Sequence, residues 1–224
     1  MKASLGLAVL DMVGTTVKDA GEAPSAFRIA LNEFGVAITD DHLREVRGAA
    51  KRAAIRTLLG PGKQKLADAA YARFKDLLAE RIRARAAPVE GVDRVFAFLR
   101  EHRMAIALNT GFDRAITNTL MEALGWPGVL FAAVVCADDV ENGRPAPDMI
   151  FAAMQAAGVS DPTHVVNVGD TTLDLEAGAA AGVRLNVGVC TGAHGRKRLA
   201  QVPHTHLIET IEELPWLLQY TLVN

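Results

Sequence analysis

Five short apolar runs recur along the chain, and helical patterns separate most of them. The runs are nearly continuous in hydrophobic residues, which is typical of strands buried on both faces of a parallel sheet. They are Leu5–Asp11, Met104–Thr110, Ala133–Asp138, His164–Asp170 and Val183–Val189. The intervening patterns predict helices at Ala115–Leu124, Asp148–Ala157 and Leu173–Ala181. This repetition of strand and helix predicts an α/β fold with a doubly wound parallel sheet.

Residues 19–87 interrupt this alternation, because they hold helical patterns and no convincing core strand. The predicted helices are Ala26–Phe34, Asp40–Arg47, Lys51–Leu59 and Ala67–Arg85, and Gly60-Pro61-Gly62 separates the last two. The core pattern resumes near Pro88. The sequence therefore predicts two domains. Residues 1–18 and 88–224 form an α/β core, and residues 19–87 form an all-helical cap.

Composition and charge narrow the classes of partner. Half of the 224 residues are hydrophobic and 22% are charged, as in globular proteins. The net charge of -2 does not indicate a nucleic-acid partner. No apolar run approaches the roughly 20 residues of a membrane span, and Leu5–Leu10 is too short for a signal sequence. We expect a cytoplasmic protein that acts on a small molecule, with a homodimer among the options left open.

Polar residues follow the ends of the first four predicted strands. Asp11 ends the first strand, Thr110 ends the second, and Arg144 follows the third. Asp170 ends the fourth, and Asp174 lies one helical turn later. In open α/β sheets, ligands bind beyond the carboxyl ends of the strands. We therefore expect these five side chains to converge at one edge of the sheet.

This set of residues suits phosphoryl transfer, which needs in-line attack and neutralised oxygens. Asp11 can attack phosphorus and form an aspartyl-phosphate. Asp11 and Asp170 together suit Mg²⁺, which takes a few carboxylates plus waters and substrate oxygens. Thr110, Arg144 and nearby backbone N–H groups can hold the phosphoryl oxygens. Asp174 can orient the water shell of the metal.

The order and spacing of these residues resemble the haloacid dehalogenase superfamily across essentially the whole chain. The matching segments are Asp11-Met12-Val13-Gly14-Thr15, Asn109-Thr110-Gly111, Arg144-Pro145, and Gly169-Asp170 with Asp174. The resemblance implies a Rossmann-like core with a helical cap, a magnesium cofactor and Asp11 as the nucleophile. It also makes Gly14, Thr15 and Gly111 candidate substrate-binding residues, and Val13 a metal ligand through its backbone carbonyl.

Two positions depart from the common pattern of that superfamily. Most of its phosphatases carry a second Asp two residues after the nucleophile, which protonates the leaving alkoxide; Val13 stands there and cannot transfer protons. Arg144 stands where a Lys is usual. Both departures resemble the phosphonatase branch, which also has a cap-domain Lys in a Gly-x-x-Lys context. Gly48-Ala49-Ala50-Lys51 matches that context.

In the phosphonatase branch this Lys forms a Schiff base with an aldehyde, so that C–P cleavage releases an enamine and needs no acid. The resemblance therefore implies a catalytic Lys51, with Arg47 and Gly48 as candidate substrate-binding residues. A Schiff-base Lys must be partly neutral, and nearby cations lower its pKa. Arg47 and Arg52 flank Lys51 and are candidates for this effect. The alternative interpretation is an exposed lysine at a helix terminus.

Other positions differ from the branch, so the substrate stays open as a small phosphonate or phosphate metabolite. Arg47 replaces a Met, Ala54 replaces a His that assists imine formation, and Gly21 replaces a Cys. One alternative is a phosphomonoesterase of the phosphoglycolate or sugar phosphatase type. A second is a C–halogen hydrolase, which needs no metal and so does not use the Asp170 motif. A non-enzymatic binding protein is the third.

Overall fold

The computed structural model describes residues 5–223, in which six strands form one sheet. The strands are β1 (Leu7–Asp11), β2 (Ala105–Thr110), β3 (Ala133–Cys136), β4 (Val165–Gly169), β5 (Leu185–Val189) and β6 (His206–Ile208). Their order is β3-β2-β1-β4-β5-β6, and every neighbouring pair is parallel. This arrangement confirms the predicted doubly wound α/β core.

Six helices accompany the sheet along the chain. They are α5 (Val92–Glu101), α6 (Arg114–Leu124), α7 (Asp148–Ala156), α8 (Thr172–Ala181), α9 (Arg196–Leu199) and α10 (Leu214–Val223). Strand β1 is buried along its whole length, and its side chains alternate between two hydrophobic clusters. Leu7 and Val9 pack in the cluster that includes Met149 of α7, whereas Leu10 packs in the other. Burial on both faces explains the unbroken apolar run in the sequence.

Four further helices lie between β1 and α5 in the sequence, and we call them the cap. They are α1 (Glu22–Glu33), α2 (Asp40–Glu45), α3 (Lys51–Leu59) and α4 (Ala67–Arg85). Phe27 of α1 stacks on Phe74 of α4, with 4.3 Å between the ring centroids. Phe74 and Ile55 are completely buried. The all-helical insertion is confirmed, while the domain limits at residues 19–87 stay a prediction.

Several element limits differ from those predicted. Helix α1 begins at Glu22 and not at Ala26, because Pro24 stands in its first turn, where no backbone N–H is needed. Helix α2 ends at Glu45, two residues before the predicted end. Strand β5 begins at Leu185 and not at Val183, whose N–H instead donates to the Gly178 carbonyl at the end of α8. The predicted limits of α3 and α4 are confirmed.

Two chain segments connect the cap to the rest of the molecule, and they run side by side. The Lys18 N–H donates to the Ala87 carbonyl at 2.9 Å, and the Val89 N–H donates to the Thr16 carbonyl at 3.0 Å. These bonds fix the entry and exit of the cap next to each other, beside the end of β1. Across residues 5–223, no helix has the length and apolar character needed to cross a membrane.

Candidate active site

The predicted site residues lie where the strand order of the sheet reverses. Strands β1 and β4 are neighbours at this point, and Asp11 ends β1 while Asp170 follows β4. Such a reversal creates a crevice at the carboxyl ends of the strands. Here the crevice lies between the sheet and the cap and holds about 660 Å³ of empty space, part of it open to solvent.

Most of the predicted residues line this crevice, which we call the main cleft. They are Asp11, Val13, Arg47, Gly48, Lys51, Thr110, Gly111, Arg144 and Asp170. Gly14 lines an adjoining cleft. Thr15 and Asp174 are buried and reach the site through other side chains. The structure therefore brings together residues from β1, β2, the loops after β3 and β4, and the cap.

Arg144 joins three of the polar side chains at the floor of the main cleft. Its Nη2 lies 2.7 Å from Asp11 Oδ1 and donates to Asn109 Oδ1 at 2.7 Å. Its Nη1 lies 2.6 Å from Asp174 Oδ1. The guanidinium is buried, and both carboxylates raise its pKa against the lowering effect of burial. Arg144 therefore fixes the orientation of the candidate nucleophile.

The floor carries more negative than positive charge. Burial raises the pKa of Asp11 to about 6, with Arg144 opposing this shift and the charge of Asp174 adding to it. The pKa of Asp170 is raised well above its usual range by burial, and by the charges of Asp11 and Asp174. Asp170 is fully buried and accepts hydrogen bonds from the Ala193 N–H at 2.6 Å and from Thr15 Oγ1 at 3.3 Å. A bound cation would stabilise both carboxylates in their charged form.

The donor set fits a magnesium ion. Residues 5–223 contain no group of three His, Cys, Asp or Glu side chains placed to hold a metal. Mg²⁺ does not require one, because it binds through one or two carboxylates and keeps several waters. Asp11 and Asp170 are two such carboxylates and both line the main cleft, while the Val13 carbonyl as a further ligand stays a prediction. The observation that favours a cation here is the full burial of Asp170, whose pKa is raised by burial and by the charges of Asp11 and Asp174.

Asp174 has partners in the protein for both of its carboxylate oxygens. Oδ1 faces Arg144, and Oδ2 accepts from the backbone N–H and the hydroxyl of Thr171 at the start of α8. The Asp174 N–H in turn donates to Thr171 Oγ1, which completes a capping box. Asp174 thus holds Arg144 in place, and its role toward the metal stays a prediction.

Gly14 allows the first loop to approach Asp170 closely. Its φ of 101° lies in the region that favours glycine, and a Cβ at this position would lie 2.1 Å from Asp170 Oδ2. A side chain here would displace the carboxylate or the loop. The close approach of Asp170 therefore explains why a glycine follows Val13.

Lys51 reaches the main cleft from the start of α3. Its Nζ donates to the Ala49 carbonyl at 3.1 Å and lies 5.3 Å from the centroid of the Phe112 ring. Burial lowers its pKa to about 8; Asp11 opposes this shift, and Arg144 adds to it. Neither Arg47 nor Arg52, which were expected to lower this pKa, is among its main causes. Arg47 pairs with Asp19, and Arg52 pairs with Asp68 and packs over Tyr71. A lysine with this pKa is partly neutral at physiological pH.

Sequence reasoning did not assign a role to several residues that shape the cleft. Asn109 orients Arg144, and Phe112 lies beneath Lys51. Asp19 pairs with Arg47, with 3.3 Å between Oδ2 and Nη2. Asn109 could have been predicted as a site residue, because it lies in the Asn109-Thr110-Gly111 segment beside Thr110. Asp19 carried no sequence signal, because its partner is 28 positions away and the pairing depends on the fold.

Comparisons with known proteins bear on the family and the fold of this chain. A family model described as "Haloacid dehalogenase-like hydrolase" matches residues 9–187. A phosphonoacetaldehyde hydrolase from Latilactobacillus sakei is 33% identical in an alignment that covers 81% of this chain and 74% of that protein. One from Pseudomonas putida is 29% identical in an alignment that covers 94% of this chain and 90% of that protein. The crystal structure of a phosphonoacetaldehyde hydrolase-like protein from Oleispira antarctica superposes with a TM-score of 0.89 at 22% identity, covering 99% of this chain and 94% of that one.

Proposed function

Because the chain belongs to the haloacid dehalogenase-like hydrolases, we propose that it is a magnesium-dependent phosphonatase whose substrate is a small carbonyl phosphonate. In this proposal Asp11 attacks phosphorus and Lys51 forms a Schiff base with the carbonyl group. The observation that carries it is the amine of Lys51, with its lowered pKa, in the cleft that also contains Asp11. The relatives named phosphonoacetaldehyde hydrolase support the same substrate class.

The position of Asp11 supports its proposed role as the nucleophile. Its side chain is buried at the end of β1, and Arg144 holds one of its oxygens. A preorganised carboxylate avoids the reorganisation that attack would otherwise require. Burial raises the pKa of Asp11 to about 6 against the lowering effect of Arg144. Asp11 is therefore largely ionised at neutral pH. Attack forms an Asp11–phosphorus bond as the bond from carbon to phosphorus breaks.

In this proposal Lys51 replaces the proton donor that Val13 cannot provide, because a Schiff base removes the need to protonate the leaving group. Its neutral amine adds to the substrate carbonyl, and loss of water with uptake of one proton from solvent gives a protonated imine. The electron pair of the breaking C–P bond then moves toward the imine nitrogen and leaves an enamine. No alkoxide forms, so no acid is needed beside Asp11. Protonation and hydrolysis of the enamine restore the Lys51 amine and release a carbonyl product, and water releases inorganic phosphate from Asp11.

Asp11, Asp170 and the Val13 carbonyl would hold the magnesium ion. When bound, it neutralises charge on the phosphonate oxygens and on the two carboxylates. Thr110 ends β2 and Gly111 follows it, and both line the main cleft. In this proposal the Thr110 hydroxyl and the Gly111 backbone bind the remaining phosphonate oxygens. Thr15 keeps Asp170 in position from below through its hydroxyl.

The test is turnover of phosphonoacetaldehyde in the presence of Mg²⁺, with cyanoborohydride to trap an imine on the Lys51 peptide. Lys51→Arg keeps the charge but cannot form the imine, and we expect it to lower turnover by at least roughly the 10²-fold worth of a catalytic group. Lys75→Arg is the matched control, because Lys75 is also a cap lysine over an aromatic ring and lies outside the main cleft. We expect that control to keep its activity and its trapped adduct.

Three results would each overturn part of the proposal. Full activity of Lys51→Arg with no trapped adduct would remove the Schiff base. Phosphate release from phosphomonoesters alone, unaffected by Lys51→Arg, would establish the phosphomonoesterase alternative. Turnover that persists in excess chelator would remove the magnesium requirement.

A further inference from the structure

The proposed reaction leaves one ion pair in the main cleft without a use. Arg47 of the cap and Asp19 of the linker before α1 both line this cleft, and both also line the adjoining cleft. Their side chains are 29% and 20% exposed. Ion pairs with this much exposure contribute little to stability, so holding the fold does not explain the pair.

Most of the hydrogen-bonding capacity of Arg47 is unused. A guanidinium has five N–H donors, and in the described part of the chain the partner of Arg47 is Asp19, at 3.3 Å from Nη2. The planar fork of Arg suits a carboxylate with two oxygens. Asp19 already presents a carboxylate to it from within the cleft. Arg47 is therefore suited to bind a second carboxylate that enters the main cleft.

Arg47 shares the main cleft with the amine that receives the carbonyl group in the proposed reaction. Arg47 and Lys51 both line the main cleft from the cap, on either side of a turn at Gly48, whose φ is 82°. The phosphonate end of a substrate belongs at the floor, with Asp11 and Arg144. A substrate that spans the floor and Lys51 then keeps its remaining carbonyl substituent in the cleft that Arg47 and Asp19 also line.

We propose that the substrate carries a carboxylate next to its carbonyl group, and that Arg47 binds this carboxylate. The substrate class is a 3-phosphono-2-oxo acid. This inference rests on the proposed function for the position of the carbonyl. Asp19 competes with the substrate carboxylate for the guanidinium and keeps Arg47 oriented toward the cleft when no substrate is bound.

The binding test uses two inert ligands that differ in one group, 3-phosphonopropanoate and propylphosphonate, measured by calorimetry with Mg²⁺ present. We expect the carboxylate ligand to bind roughly 10- to 100-fold more tightly, the worth of a charge-assisted hydrogen bond. Arg47→Met keeps an aliphatic stem without the charge and is expected to remove this preference. Asp19→Asn removes the competing carboxylate and is expected to increase it.

Turnover separates this inference from the proposed function. We expect a higher kcat/KM for 3-phosphono-2-oxopropanoate than for phosphonoacetaldehyde, and Arg47→Met should lower the first by more than the second. Equal binding of the two inert ligands, or an equal loss of both in Arg47→Met, would overturn the role of Arg47. If neither carbonyl phosphonate is turned over, the proposed function fails, while a preference that depends on Arg47 in the binding test still upholds a carboxylate site.

Discussion

Asp170 is fully buried beside two other carboxylates, and its charge is a source of instability in the metal-free protein. Its pKa is raised in the folded state, so the folded protein binds this proton more tightly than the unfolded chain. The contribution of Asp170 to the free energy of unfolding is therefore largest below the unfolded pKa of about 3.9 and is lost as the pH rises above that value. An asparagine at position 170 does not titrate, so it would not lose stability in this way.

We predict that Asp170→Asn raises the melting temperature of the protein in EDTA at pH 7. A gain of about 1 kcal/mol would correspond to a rise of about 2–4 °C in a protein of this size. The difference from wild type should shrink as the pH falls toward 4. Mg²⁺ should raise the melting temperature of wild type and have little effect on the variant. A lower melting temperature for the variant in EDTA would contradict this account, and thermal unfolding by calorimetry measures it.

At this scale the sequence was informative about groups at strand ends and silent about contacts between them. Asp11, Thr110 and Asp170 were predictable, because parallel strands place their carboxyl ends at one edge of the sheet. The position of Arg144 between Asp11 and Asp174 was not, because it depends on the path of the loop after β3. The same holds for Asp19 and Arg47, which meet only when the cap lies over the core.

The turn that follows β1 is the element on which the site most depends. It brings Gly14 against Asp170 with a φ of 101°, so a side chain would meet both a conformational and a steric penalty. We predict that Gly14→Ala loses nearly all activity and its Mg²⁺-induced stabilisation. Turnover and thermal unfolding with and without Mg²⁺ measure these effects.

Gly21→Ala is the matched control for this prediction. Gly21 also has a positive φ, 84°, but a Cβ there meets no atom within 4 Å. Its cost is limited to left-handed strain of roughly 1–2 kcal/mol, and we expect its activity to persist. If Gly21→Ala lost as much activity as Gly14→Ala, backbone strain and not the approach to Asp170 would be the cause.

The elements themselves were predictable where pattern and punctuation agree. The limits of α3 and α4 follow from their helical pattern and from the Gly60-Pro61-Gly62 interruption between them. The start of α1 was not predicted, because Pro24 looks like a break although a first turn tolerates it. Strand limits were set too wide, since apolar residues such as Val183 also pack at the ends of neighbouring helices.

At the scale of the whole molecule, the structure has the cap closed over the core. The Lys51 N–H donates to the Gly111 carbonyl at 3.2 Å, and Tyr71 of α4 donates to Asp113 Oδ2 at 2.8 Å. Asp113 also caps the start of α6 by accepting from the Ile116 N–H. These bonds join the cap to the core, and we predict that they open for substrate exchange.

We predict that Tyr71→Phe shifts the equilibrium toward an open cap. The loss of one hydrogen bond of about 1 kcal/mol should raise KM by about 5-fold, with little effect on the chemical step. Hydrogen exchange at the Lys51 amide should become faster, because its bond to Gly111 opens with the cap. Tyr220→Phe changes the only other tyrosine and lies on α10, so we expect no change there. Unchanged exchange in Tyr71→Phe would separate this bond from cap opening.

The paired linkers have a consequence for how this molecule can change over evolution. Lys18 and Ala87 are hydrogen-bonded to each other, and so are Thr16 and Val89. The chain therefore leaves the core to form the cap and returns to the core at nearly the same point. A segment with adjacent ends can be exchanged for another without rerouting the strands that flank it. The carboxylate floor can then be inherited unchanged while a grafted set of helices, with its own Lys51 and Arg47 equivalents, defines which molecule is accepted.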